Sequence, residues 1–138
     1  MFDQCLYFNT SALARQLERE WSAAFKPFDL TPPQAFMLRA VLDRPGMLQR
    51  ELAAALAIAR PTATRALDGL QARGLIERRG LASDGRETEI HPTQRAQAIK
   101  AAVNAASAGV TARMKKVLGA GGFADIVARV KEVRSALR

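Results

Sequence analysis

The apolar residues of the N-terminal stretch recur every four or seven positions: Leu6, Leu13, Leu17, Trp21 and Phe25. On an α-helix turning about 100° per residue they share one side, which predicts a helix over residues 4–25. Pro27 stops it, because proline lacks the N–H that a helix interior needs. In "KPFDLTPPQ", Thr31 is placed to cap a second helix, with Pro32 in the first turn, where a missing donor does no harm. This second helix, about 32–43, turns Phe36, Met37, Ala40 and Val41 to the core and ends near "DRPG".

Two short helical patterns follow. "QRELAAAL" predicts a helix at 49–56, "AIAR" a tight turn, and "PTATRALDGLQAR" a helix at 61–73, opened by Pro61 and closed by Gly74. Two short helices joined by so brief a turn are the mark of a helix-turn-helix. In the second of them Ala63, Leu67, Leu70 and Gly74 fall within one narrow arc. Pro61, Thr62, Arg65, Gly69 and Ala72 fall on the opposite one and make a flat, nearly uncharged face. In "LIERRGLASDGRETEI", Ile76 and Arg78 alternate with Glu77 and Arg79, and Thr88 and Ile90 alternate with Glu89. Asp84-Gly85 between the runs is a hairpin-turn signal, so two strands with an extended tip are expected.

The remainder is helical. Ile99, Val103, Ala106, Val110, Met114 and Val117 repeat in steps of three and four along a helix at 93–117. "GAGG" interrupts the pattern, and Phe123, Ile126, Val127, Val130, Val133 and Leu137 mark a last helix at 123–137. The first helix and the last two each carry an apolar stripe, and the small middle of the chain cannot cover all three. Burial yields about 25 cal/mol per Å² of apolar surface, so a second copy of the chain is the simplest cover. A homodimer joined through its N- and C-terminal helices is expected; a closed monomeric bundle is the alternative.

The chain has 138 residues, enough for a single domain with one core. Within it, residues 32–92 form the helix-turn-helix lobe, and 1–31 with 93–138 the helical dimerisation region. The fold class is therefore mainly α with a small β-hairpin. No run approaches the ~20 apolar residues of a membrane span, and "MFDQCLYFN" is not a secretory leader, which points to the cytoplasm and no membrane partner. One cysteine, Cys5, and one histidine, His91, leave no disulfide and no metal set. His91 reads as a polar strand-end residue. Phosphate loops, serine elbows and paired catalytic carboxylates are also missing, so no enzyme and no cofactor is expected.

The net charge of +8 favours an anionic partner. Residues 39–86 and 87–138 hold nine cations each, so charge density alone does not locate a site. All nine in the middle segment are arginine, the side chain suited to phosphate and base edges; a plain compositional bias is the alternative reading. A helix with a flat outer face can sink into the major groove of DNA, about 12 Å wide. Arg65 would meet a guanine edge or phosphate there, and Thr62 a phosphate or thymine methyl. Arg86, at the hairpin tip beside Gly85, suits a narrow minor groove. Asp84 either orients that arginine or serves the turn. Arg78 and Arg79 on the strand are candidate phosphate contacts.

These features together resemble the MarR family of winged helix-turn-helix transcriptional regulators, its SlyA branch most of all. The likeness runs ungapped from Glu51 through Thr93, with "T-R-x-L-D-x-L-x-x-x-G-L-I-x-R" at 64–78 and "D-x-R" at 84–86. "KPFDLTPPQAFML" resembles the segment entering the family's second helix. The resemblance implies a triangular homodimer gripping a palindromic operator in double-stranded DNA as a ligand-responsive repressor. It places Thr62 and Arg65 at recognition-helix contact positions and Arg86 at the minor-groove position of the wing; Pro61 and Thr64 on the same helix are further candidate DNA contacts. Half-sites would lie about 34–36 Å apart. Leu48 and Arg60 stand where the family often has a capping Ser, Thr or Asp, which implies caps shifted by a residue; Pro92 stands where it usually has an apolar strand residue.

The resemblance also implies a small aromatic effector in the crevice between dimer arms and DNA lobes, for which Trp21, Phe25, Phe28 and Phe36 are candidates; aromatics at helical spacing are otherwise core residues. "QCLYFN" is similar to the start of the first helix in the hydroperoxide-sensing branch. That makes Cys5 a candidate redox residue and peroxide sensing an alternative function. Tyr7 is the only tyrosine, a poor match to the tyrosines of that branch. A winged helix that binds protein rather than DNA is the remaining alternative.

Overall fold

Cys5 holds the N-cap position of helix α1 (Leu6–Phe25), its Sγ accepting the Phe8 N–H at 3.5 Å. The computed structural model describes residues 1–81 and 84–138, with the backbone alone for Leu81 and residues 84–86. A 3-10 turn at Lys26–Phe28 contains Pro27, and Asp29 reverses the chain with a left-handed φ of 56°. Helix α2 (Pro32–Asp43) then opens with both halves of a capping box. Thr31 Oγ1 accepts from the Gln34 N–H at 3.3 Å, and Gln34 Oε1 accepts from the Thr31 N–H at 3.0 Å. Two amide hydrogens that would otherwise be orphaned are thus satisfied, a device that contributes about 1 kcal/mol.

A two-residue strand, β1 (Met47–Leu48), leads into α3 (Gln49–Ala55) and α4 (Arg60–Ala72). Strands β2 (Ile76–Leu81) and β3 (Asp84–Pro92) follow, then α5 (Gln94–Leu118) and α6 (Ala120–Ala136). The sheet is antiparallel with the order β1-β3-β2, Met47 facing Ile90 and Ile76 facing Pro92. Strand β1 is an addition to the expected hairpin; two residues are too few to show alternation.

The hairpin differs from expectation at its tip. Gly80 faces Thr88, and the next step pairs Leu81 with Asp84, so the ladder shifts there. Asp84 and Gly85 therefore start β3 instead of forming the turn, and residues 82–83 lie outside the described residues. The cap shifted by a residue is real in α4, where Ala59 takes the N-cap position, but its methyl group accepts nothing. In α3 the N-cap is Leu48 itself, and Glu51 Oε1 accepts the Leu48 N–H at 2.9 Å, half of a capping box.

Phe25, Met37, Leu38, Val41, Leu52, Leu67, Leu70, Ile90 and Val103 are fully buried and join the end of α1, helices α2 to α5 and the centre of β3 in one core. A polar seam runs beside it. The Arg39 guanidinium donates to Asn104 Oδ1 at 2.7 Å and Ser107 Oγ at 3.1 Å, and Trp21 Nε1 donates to the same hydroxyl at 3.1 Å. Arg39 also lies 5.0 Å from the Phe36 ring centre, a cation–π distance. Burial holds its pKa below the ordinary arginine value. This seam fixes α1, α2 and α5 in one arrangement. Helix α6 is different: none of its residues is buried, and Ile126, Val127, Val130 and Val133 stay open.

Candidate nucleic-acid interface

Helix α4 divides cleanly. Ala63, Ala66, Leu67 and Leu70 are buried against α2 and α3, while Pro61, Thr64, Arg65, Asp68, Gln71 and Ala72 are exposed and Thr62 is half-buried. Its start carries no side-chain cap, so the first amides point outward. Arg65 Nη2 donates to Thr62 Oγ1 at 3.4 Å, a long contact that leaves most of the guanidinium free. Thr64 Oγ1 accepts from Gln49 Nε2 at 2.9 Å and donates to the Arg60 carbonyl at 3.0 Å, which ties α4 to α3. The end of α4 closes as it should with glycine: Gly74 adopts φ 70°, its N–H reaching Gln71 O at 2.9 Å and the Leu75 N–H reaching Leu70 O at 3.0 Å.

Gly69 departs from the expected face. It is half-buried against α2, where an added Cβ would collide with the Gln34 side-chain amide. Its smallness serves helix approach rather than an outer surface.

A family model described as "MarR family" matches residues 28–87, a span that holds α2 to α4, β2 and the start of β3. That stretch of the chain is similar to the MarR family. A Bacillus subtilis protein named as an uncharacterised HTH-type transcriptional regulator, YybA, is 29% identical over 87 residues, 63% of this chain. The matched stretch spans 58% of that relative's length. The structure of the transcriptional regulator SlyA superposes with a TM-score of 0.84 at 22% identity, over 96% of this chain and 94% of that one. The transcriptional repressor CouR, solved on a 23-mer DNA duplex, superposes with a TM-score of 0.84 at 25% identity, over 99% and 95%. The winged helix-turn-helix is thus the fold of this chain.

Arg78 is not where a phosphate contact needs to be. Its guanidinium lies 2.8 Å from Asp68 Oδ1 and donates to Gln71 Oε1 at 2.7 Å, with the side chain only 22% exposed. Strand alternation turns it onto α4, so it fastens the wing's root to the recognition helix. Arg79 points the other way, open to solvent, with Glu77 Oε2 at 3.2 Å. The side chains of Asp84 and Arg86 lie outside the described residues; their backbone is the start of β3.

The expected crevice has a counterpart, a groove of about 490 Å³ between α1, α2 and the start of α4. Trp21 and Phe36 line it with Leu17, Glu18, Ile58 and Thr62. Phe25 does not: it is fully buried behind Phe36, their rings edge to face at 6.0 Å. Phe28 packs on the core and is not among the lining residues. Cys5 is exposed. Sequence reasoning missed Arg39, Gln49 and Arg50, because each works through a partner distant in sequence that periodicity cannot reveal.

Proposed function

We propose that this protein is a sequence-specific regulator of transcription that binds a palindromic operator in double-stranded DNA as a homodimer. The observation that carries the reading is the division of α4, apolar residues inward, Pro61, Thr64 and Arg65 exposed and Thr62 half-exposed beside them. In the major groove Arg65 reads a base edge or phosphate, and Thr62 and Thr64 address the backbone or a thymine methyl. Arg79 meets phosphate from the wing, and Arg86 enters the adjacent minor groove with Asp84 beside it. The DNA duplex in the CouR structure supports the choice of partner.

The homodimer reading rests on α1 and α6. Leu6, Tyr7, Ile126, Val130, Val133 and Leu137 flank a cleft of about 610 Å³ between them, and a helix with no buried residue has little reason to hold its place alone. Reading a palindrome as a homodimer requires the two α4 helices to lie at the spacing of successive turns of a duplex. A small aromatic effector in the groove lined by Trp21 and Phe36 would touch Thr62 at the start of α4, so occupancy and recognition share a residue. We read the protein as a repressor released by that effector, acting in the cytoplasm.

Selection of bound duplexes from a random pool tests the whole reading. A recovered palindrome supports it; a pool with no enrichment at low salt rejects DNA binding in favour of a protein partner. The exposed thiol of Cys5 favours a second trigger, oxidation by peroxide. Unchanged operator affinity after peroxide, in the wild type and in Cys5→Ser alike, removes that trigger.

A further inference from the structure

A cavity of about 300 Å³, lined by polar and apolar side chains in similar measure, opens between the start of α4, helix α3 and β3. Gln49 and Arg50 line it from α3, Arg60 and Thr64 from α4, and Glu87 and Thr88 from the wing strand. Arg50 Nη2 sits 2.9 Å from Glu87 Oε1, the guanidinium side chain 63% exposed and the carboxylate side chain 33%. The ion pair therefore stands on the wall of a cavity whose other polar walls are a cation, an amide and two hydroxyls.

The position matters. A helix in the major groove and a wing tip in the adjacent minor groove straddle one sugar-phosphate strand, because that strand is what separates the two grooves. An exposed side chain between the start of α4 and β3, as Arg50 is, faces that strand. Arginine there suits phosphate, and carboxylate there does not, since the two anions repel. Resting on the DNA-binding reading, we propose that Arg50 is a phosphate contact and that Glu87 is its internal competitor, a carboxylate that occupies the guanidinium until a duplex displaces it. DNA binding then exchanges one anion for another at Arg50, with Arg60 and the Thr64 and Thr88 hydroxyls lining the vacated seat. The carboxylate thereby holds affinity down, so that binding depends more on the contacts made by α4.

The test is a double-mutant cycle in DNA affinity at about 0.1 M salt, with Arg50→Gln, Glu87→Gln and the double variant. Both positions are partly exposed, so thermal melts should stay near wild type and report any folding defect separately. Glu87→Gln is expected to tighten binding about two- to fivefold, the range set by ion pairs of this exposure. Arg50→Gln is expected to weaken binding and to lower the slope of log affinity against log salt by about 0.9, one phosphate. In the Arg50→Gln background Glu87→Gln should then change little. Equal tightening in both backgrounds would mean that Glu87 repels DNA in general, and the proposal would fall. Weaker binding by Glu87→Gln would make the carboxylate a support for Arg50 rather than a rival, and an unchanged salt slope in Arg50→Gln would remove the phosphate contact; either result overturns it. A wild-type protein that binds no duplex defeats the DNA reading itself, and this proposal with it.

Discussion

Arg78 on the first long strand of the wing meets Asp68 on the recognition helix at 2.8 Å, and this bond sets where the hairpin stands relative to α4. Asp68 is 61% exposed, so its charge is well screened, and much of the joint's value lies in packing and in the second bond to Gln71. Arg78→Ala should cost about 0.5–1.5 kcal/mol of stability and weaken operator binding together. Arg65→Ala should weaken operator binding by about 1–3 kcal/mol and leave the melting temperature unchanged, since among the described residues its one side-chain hydrogen bond is the long one to Thr62. Melting curves and binding titrations on the two variants separate a fastening residue from a reading one. Identical profiles would contradict that division.

The contrast between these arginines marks how far the sequence could be read. Both lie in one motif, and spacing assigned both to DNA. Periodicity correctly turned Leu67 and Leu70 inward and Arg65 outward, because a helix face follows from rotation alone. The same rule is blind to partners: Arg78 bonds across to α4 only because the hairpin folds back beside that helix. The helix start at Thr31 was legible because a capping side chain is a local signal. The pairing of Arg50 with Glu87 has no local signal at all. Phe25 was ambiguous for a related reason, since one spacing serves a core face and a crevice wall, and only the packing of α2 against α1 buries it.

The turn between α3 and α4 holds a conformational cost that can be relieved. Ala57 adopts φ 54°, its N–H donating to Ala54 O at 3.1 Å while the Ile58 N–H reaches Ala53 O at 3.0 Å. This is the same pair of bonds that Gly74 makes at the end of α4, built here on a residue with a Cβ. An L-residue in the left-handed region is disfavoured by about 1–2 kcal/mol, part of which is recovered by the stiffer unfolded chain. Ala57→Gly should therefore stabilise the protein by about 0.5–1 kcal/mol, read as a higher denaturant midpoint at constant slope. Destabilisation would show that the Ala57 methyl makes a contact worth more than the strain.

Trp21 is the only tryptophan, and it stands on the wall of the groove with its indole N–H on Ser107. A small aromatic compound entering that groove should change its emission in a saturable way. The midpoint of that change should match the concentration that releases the protein from DNA. Phe36→Ala, on the facing wall, should weaken both by the same factor. Release without any change in Trp21 emission would locate the effector elsewhere.

The last expectation concerns α6. Val130 is 44% exposed on a helix none of whose residues is fully buried, beside Leu6 and Tyr7 of α1 across the cleft. If a second copy covers this surface, Val130→Asp places a charge in an apolar interface, where desolvation without a partner costs several kcal/mol. Light scattering should then show a dimer for the wild type and a monomer for the variant at micromolar concentration. Operator affinity should fall far more than any single phosphate contact explains, because each half-site is then bound without its partner. The lobe itself should survive, since Val130 touches none of the core formed by α2 to α5, and far-UV circular dichroism would register this as nearly unchanged helix content. A wild-type monomer, or a variant that stays dimeric, would assign the open face of α6 to something other than a second copy of this chain.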